Sequence, residues 1–181
     1  MEKTVRTTFP TSVSAAEMTA AAQDYTQRGW TVAETANGIC LITDEDVSGI
    51  EVSGELAGDV RRYLRANNLS GPVIEIPGTE RREIHLVTGL RKAAMAIEGL
   101  REAGATVYTD GAGIALPPTQ ISAAGTAQWR VAPHEARWLP PVVAIAAAVR
   151  SSMARRRAGD SGSRAGETVT RTGESLTSVA C

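Results

Sequence analysis

The sequence predicts an α+β (mixed α/β) domain, in which helices flank a mixed β-sheet and a disordered C-terminal tail follows. Three observations point there. Helix-spaced and strand-like apolar runs interleave along the chain, neither strictly alternating nor segregated. The stretch 105–119 carries two short β-type runs on either side of Asp110-Gly111. Such a pair is a two-residue hairpin signal, because a type I′ turn needs positive φ at both central positions. Beyond position 153 the chain soon turns to Gly, Ser, Thr and charge, with too little apolar surface to order itself. The chain therefore divides into a flexible leader (1–13), one folded domain (14–153) and a disordered tail (154–181).

The elements follow in order. Ser14-Ala-Ala-Glu17 is a capping box, in which each side chain satisfies a backbone N–H that the first helical turn leaves free. Met18, Ala21, Ala22 and Tyr25 form one apolar stripe, and Gly29 closes the helix in the left-handed conformation. Strands are expected at 30–34, at 39–43 after the Asn37-Gly38 turn, and at 50–53. A helix over about 55–67 turns Leu56, Val60, Tyr63 and Leu64 inward and Arg61, Arg62 and Arg65 outward. A strand at 72–76 and a charge-dense turn lead to a strand at 83–87. Its alternation sends Ile84 and Leu86 one way and Glu83 and His85 the other. A helix over about 91–103 ends at Gly104. The 105–119 hairpin stops at Pro117-Pro118, since proline lacks the N–H a ladder needs. A small-residue loop at 122–126 precedes a last strand, 127–131, carrying Trp129. Pro140-Pro141 suits the first turn of a final helix that reaches about Met153.

Aromatic residues make up 4% of the 181-residue chain, so the core must come from Val, Ile, Leu and Ala. The net charge of −1 is unevenly spread. Residues 150–181 hold six Arg against three acids, a net of +3, which leaves −4 for residues 1–149. A mildly acidic body argues against general nucleic-acid binding, which rests on neutralising phosphates. Two cysteines, Cys40 in an apolar run and Cys181 at the last position, make neither a disulfide framework nor a Cys/His metal set. The longest apolar run, 139–149, contains two prolines and is too short to cross a bilayer. With no secretory pattern at the N-terminus, a cytoplasmic protein without a membrane partner is expected.

Three stretches carry a resemblance. Ala21-Ala22-Gln-Asp-Tyr25-Thr-Gln-Arg28-Gly29-Trp30-Thr-Val32 resembles the opening of the bifunctional DNA primase/polymerase N-terminal (prim-pol) domain, of the archaeo-eukaryotic-type primase superfamily. The 105–119 stretch resembles a late element of the same family and aligns without a gap through Asp110, Gly111, Gly113, Leu116, Pro117 and Pro118. A small-residue loop and a Trp-bearing strand follow, as in the family. The resemblance covers 14–149 and implies the family's fold. It also implies a site in which converging carboxylates hold Mg²⁺ or Mn²⁺ against nucleotide phosphates.

Carried over residue by residue, the family's acidic strand matches Ile50-Glu51-Val52-Ser53, which keeps Glu51 and has Ser53 where a second acid belongs. Its His-bearing strand matches Glu83-Ile84-His85-Leu86, and its third Asp falls at Thr106. The expected catalytic remnants are Glu51, His85 and Asp110, with Glu51 as the weak metal ligand. Each also has a plain reading: Glu51 as an edge carboxylate, His85 as a partly exposed hydrogen-bonded side chain, Asp110 as a turn residue. Arg61, Arg62, Arg65 and Trp129 are the candidate contacts to nucleotide or nucleic acid, against a solvated helix face and a packed ring. The preferred expectation is a degenerate prim-pol-like domain that needs no cofactor and binds nucleotide or nucleic acid, or acts as an accessory or regulatory protein. An active, Mg²⁺- or Mn²⁺-dependent nucleotidyltransferase is one alternative. A protein-interaction module engaging a partner through 139–157 is the other.

Overall fold

The computed structural model describes residues 13–109, 111–123 and 125–167, with backbone alone for Ser122 and for 159–167. Asp110 lies outside the described residues, as do the leader to position 12 and the last residues from 168. The chain forms α1 (Ala15–Gln27), β1 (Val32–Thr35), β2 (Gly38–Ile42), β3 (Ser48–Ser53), α2 (Gly54–Ala66), β4 (Val73–Ile76) and β5 (Arg82–Val87). A 3-10 turn (Leu90–Lys92) then leads to α3 (Ala94–Glu102), β6 (Thr106–Tyr108), β7 (Gly113–Leu116), β8 (Gln120–Ser122), β9 (Gly125–Thr126), β10 (Gln128–Val131) and α4 (Val142–Glu167). The result is the expected α+β class.

A five-stranded sheet, ordered β10-β4-β5-β3-β6, sits in the middle. All its ladders are antiparallel, and the one parallel contact among the described residues is an isolated bridge between Thr88 and Pro141. Both faces are covered, because successive side chains of a strand point to opposite sides. Ile50, Val52 and Val87 face α2, α3 and α4, where they meet Val60, Leu64, Leu100 and Ile145. Ile74, Ile76, Ile84 and Leu86 face the other way, against Ile39, Leu41, Ile114 and Leu116 of the three-stranded sheet β1-β2-β7 and against α1. The two sheets approach so closely that a Cβ at Gly49 would lie 2.4 Å from Ile114 Cδ1. Contact rather than backbone angle therefore favours glycine there, since a side chain would force Ile114 to shift.

The α1 cap is as the sequence reads it: Ser14 Oγ accepts from Glu17 N–H at 3.2 Å, and the Glu17 carboxylate accepts from Ser14 N–H at 2.9 Å. Gly29 follows with φ +82°. α1 is held by aromatics. Tyr25 stacks on Trp30, and Trp129 closes over both. Tyr25 O–H donates to the Pro117 carbonyl at 2.6 Å and accepts from Trp129 Nε1–H at 3.0 Å.

Three expectations are corrected. The two runs around Asp110-Gly111 do not pair as a hairpin: β6 pairs with β3 in one sheet and β7 with β2 in the other. Gly111 does adopt φ +82°, and its N–H donates to the Thr43 carbonyl at 3.0 Å, so a turn forms. It hands the chain from one sheet to the other, because Val107 packs in the helix-side core while Ile114 and Leu116 belong to the opposite one. Arg61 does not point outward. It shares the inner stripe of α2 with Ala57, Val60 and Leu64 and pairs with Glu83 of β5. Finally, α4 continues past Met153 to Glu167: Ala154 to Ala158 are good helix formers, and the glycines at 159, 162 and 166 weaken the helix without breaking it as proline would.

α2 and α4 are joined by polar contacts at their inner edge. Ser152 is fully buried and its hydroxyl donates to Asp59 Oδ2 at 2.6 Å, while Arg62 reaches Asp59 Oδ1 at 2.8 Å. The Ser152 hydrogen bond holds the Asp59 carboxyl below the usual carboxylate range. Asp59→Ala would leave the buried Ser152 hydroxyl without its acceptor and is expected to cost about 1–3 kcal/mol, read from the denaturant midpoint. Arg62→Ala, which removes an exposed partner, should cost about 0–1 kcal/mol.

Candidate functional site

β3, β5 and β6 put the expected site residues on two different faces. The register pairs Ile50 with His85 and Glu51 with Ile84. Cross-strand partners share a face, so Glu51 and His85 lie on opposite sides of the sheet.

Glu51 looks toward the small sheet. Its neighbours on that face are Ser53, Thr106, Tyr108 and Arg82: Glu51 pairs across strands with Thr106, Gly49 with Tyr108, and Ser53 with Arg82. Both carboxylate oxygens are occupied. Arg82 Nε–H donates to Oε1 at 2.7 Å, and the Tyr108 hydroxyl donates to Oε2 at 2.7 Å. Glu51 is buried, while the Arg82 side chain is 43% exposed and opens to solvent. Burial and the adjacent carboxylate push the Tyr108 phenol up to about 12, and Arg82 is raised by its bond to Glu51. The carboxylate is therefore neutralised internally, by a guanidinium and a phenol that stays protonated. An incoming cation would have to displace Arg82. Arg82 and Tyr108 were not legible as site residues. Their approach to Glu51 depends on strand register, and the nearest sequence signal was the charge density around position 81.

His85 looks toward the helices and is 1% exposed, which replaces the expectation of a partly exposed, hydrogen-bonded imidazole. Neither of its nitrogens has a hydrogen-bond partner, and Nε2 lies 3.9 Å from Glu83 Oε2, beyond hydrogen-bond reach. Glu83 is fully buried. Arg61 pairs with its Oε1, and Oε2 is unsatisfied. Beside it on β4, Glu75 pairs across strands with Glu83 and is itself bridged to Arg130 of β10 at 3.0 Å. Burial, reinforced by Arg61, lowers the His85 imidazole to about 4, so it is neutral at physiological pH. Burial raises the Glu83 carboxyl, against the pull of Arg61.

The remaining candidates are separate. Arg62 is exposed and pairs with Asp59, Arg61 is turned inward to Glu83, and Arg65, one turn beyond Arg61, is exposed, so the three arginines make no common phosphate-facing set. Trp129 is packed against Tyr25 and Trp30, and Trp138 is 51% exposed. Most of the apolar segment 139–149 is core: Val142, Ala144, Ile145, Ala146, Ala148 and Val149 are buried. A cleft of about 540 Å³ runs along α3, opposite Thr43, Asp44, Glu45, Thr109 and Gly111. Arg91 and Arg101 line it with Glu45 and Glu98, and Arg91 bridges to Glu45 at 2.5 Å.

Among the described residues no three His, Cys, Asp or Glu side chains gather closely enough to hold a metal ion. No helix of the described residues is long and apolar enough to cross a membrane. Compared with known protein families, with curated proteins and with solved structures, the chain matches none.

Two predictions follow from the charges. His85 binds protons less well folded than unfolded, so its contribution to stability is present above pH 6.5 and lost as pH falls toward 4. A drop from 6.5 to about 4 corresponds to roughly 3 kcal/mol. Glu83, raised in the folded state by its burial, works in the opposite direction as its carboxyl titrates. Urea titrations from pH 7 to 4 should show the wild type weakening over this window. His85→Leu should show a flatter profile and equal or greater stability at pH 7, since two unsatisfied nitrogens leave the core. Separately, Arg82→Met should cost about 1–2 kcal/mol by stranding the Glu51 carboxylate. Adding Glu51→Gln should recover part of that loss in the same assay.

Proposed function

We propose that this chain is a prim-pol-like domain without polymerase chemistry. It serves in the cytoplasm as a nucleotide- or nucleic-acid-binding accessory, or as a regulatory protein. The observation that carries this reading is the pairing of Glu51 with Arg82 and Tyr108 at the place where the resemblance puts the metal site. Positions 51, 53 and 106, where the family pattern has acids, are neighbours on one face, and this adjacency supports the alignment. Glu51 is the one acid among the three, and its charge is already balanced. Phosphoryl transfer by two metals needs several carboxylates converging on one point. The group left there to meet a phosphate is the partly exposed Arg82 guanidinium, bonded to Glu51 through its Nε–H, since Arg suits phosphate geometry. The cleft along α3 has a volume in the range of small-ligand sites but is a separate place, lined by none of Glu51, Arg82 and Tyr108.

Primer extension with Mn²⁺ tests the first half of this reading. Wild type and Glu51→Ala should give the same background, with no template-dependent incorporation. Incorporation by the wild type that Glu51→Ala abolishes would overturn the reading in favour of an active nucleotidyltransferase. Calorimetry with nucleoside triphosphates and single-stranded DNA tests the second half. Binding should survive chelation of divalent ions and weaken about tenfold with Arg82→Met, the size of one lost charged contact. Absence of binding to either ligand would move the role to protein partners.

A further inference from the structure

α3 and α4 lie side by side and leave a groove between them on the outer surface. It consists of two depressions. Met95 and Val143 line the first, Gly99, Glu102 and Ala154 line the second, and Arg150 lines both, which makes the groove continuous. Met95 is 87% exposed and Val143 51% exposed, two of the three large apolar side chains that stand out from the described surface. One turn along α3 from Met95, Gly99 has no atom within 4 Å of where its Cβ would be. Gly99 and Ala154 thus form a hollow, and a protruding thioether stands next to it.

We propose that this groove is the contact surface of a homodimer, with a second copy of the chain as its occupant. A two-fold interface uses the same patch twice, so that patch must carry both the projection and the hollow that receives it. Met95 and the Gly99 hollow meet this condition on a single helix. The charges meet it as well. Glu102 on α3 and Arg150 on α4 line the same depression, and neither makes an ion pair among the described residues. A two-fold axis through the groove lets each Glu102 pair with Arg150 of the partner subunit while Met95 enters the opposing hollow. Methionine suits this position because its unbranched thioether adapts to an irregular cavity. A head-to-tail contact would need the hollow elsewhere on the molecule, and it would not close at two copies.

Sedimentation velocity on the full chain tests the proposal over ~1 to ~100 μM, the range in which a modest interface associates. The expected result is a species of twice the monomer mass that grows with concentration. Met95→Glu should give a monomer with an unchanged circular-dichroism spectrum, because position 95 is outside the core. Arg150→Glu and Glu102→Arg should each weaken association about tenfold or more, and the two together should restore it, since the swap preserves complementarity. A wild type that is monomeric throughout this range overturns the proposal and leaves the groove to another segment or protein. A dimer indifferent to Met95→Glu overturns it too, as does one that the double swap fails to restore.

Discussion

Six consecutive residue pairs, from Ser48 with Val87 to Ser53 with Arg82, lock β3 to β5. Because side chains alternate, this register decides the face of every residue in the middle of the molecule. Ile50 and Val52 enter the helix-side core, while Gly49 lies against the small sheet. Each fully buried aliphatic side chain contributes about 1.5–3 kcal/mol relative to exposure. A slip by one residue would exchange Ile50 for Glu51 in the helix-side core and press Ile50 toward Ile114. The two cores hold the register from both sides, and the register in turn keeps Glu51 and His85 apart.

The charges inside the sheet are arranged by the same alternation. Glu51 on one face and Glu83 on the other each have one arginine, from different elements: Arg82 from β5 and Arg61 from α2. Neither pair resembles a surface bridge, since both carboxylates are buried. A buried carboxylate with its own guanidinium is a neutral unit and is expensive to break. The two units differ in access. Arg82 opens to solvent, and its unit can meet a ligand. Arg61 is mostly enclosed, and its unit fixes α2 on the sheet. His85 adds to the second unit a neutral group without hydrogen bonds, which makes that spot the least satisfied part of the core.

Much of the fold was legible in local chemistry. The Ser14–Glu17 box, Gly29, the helices over 55–67 and 91–103, and the stop at Pro117-Pro118 all follow from signals within a few residues. What was not legible depends on distant partners. The Asp110-Gly111 signal read as a hairpin because a turn is local, whereas the allegiance of Val107 and Ile114 to separate cores is not. Arg61 read as outward because charge usually seeks water, and the buried Glu83 that draws it inward is 22 positions away. The alternation of β5 did place Glu83 and His85 together. It could not tell that α2 and α4 cover that face, so burial of both was out of reach. For the candidate site, positions 51, 53 and 106 were named from the resemblance, while Arg82 and Tyr108 became visible only with the register.

The attachment of α1 has a consequence for biosynthesis. Tyr25 is fastened to Pro117, 92 positions on, and to Trp129, 104 positions on. α1 therefore lacks these two partners until the chain has been made through Trp129. Until then its capping box can sustain a turn or two, but the rings of Tyr25 and Trp30 remain uncovered. A nascent chain halted before Trp129 would present those rings to chaperones, and emergence of β10 would bury them in one late step.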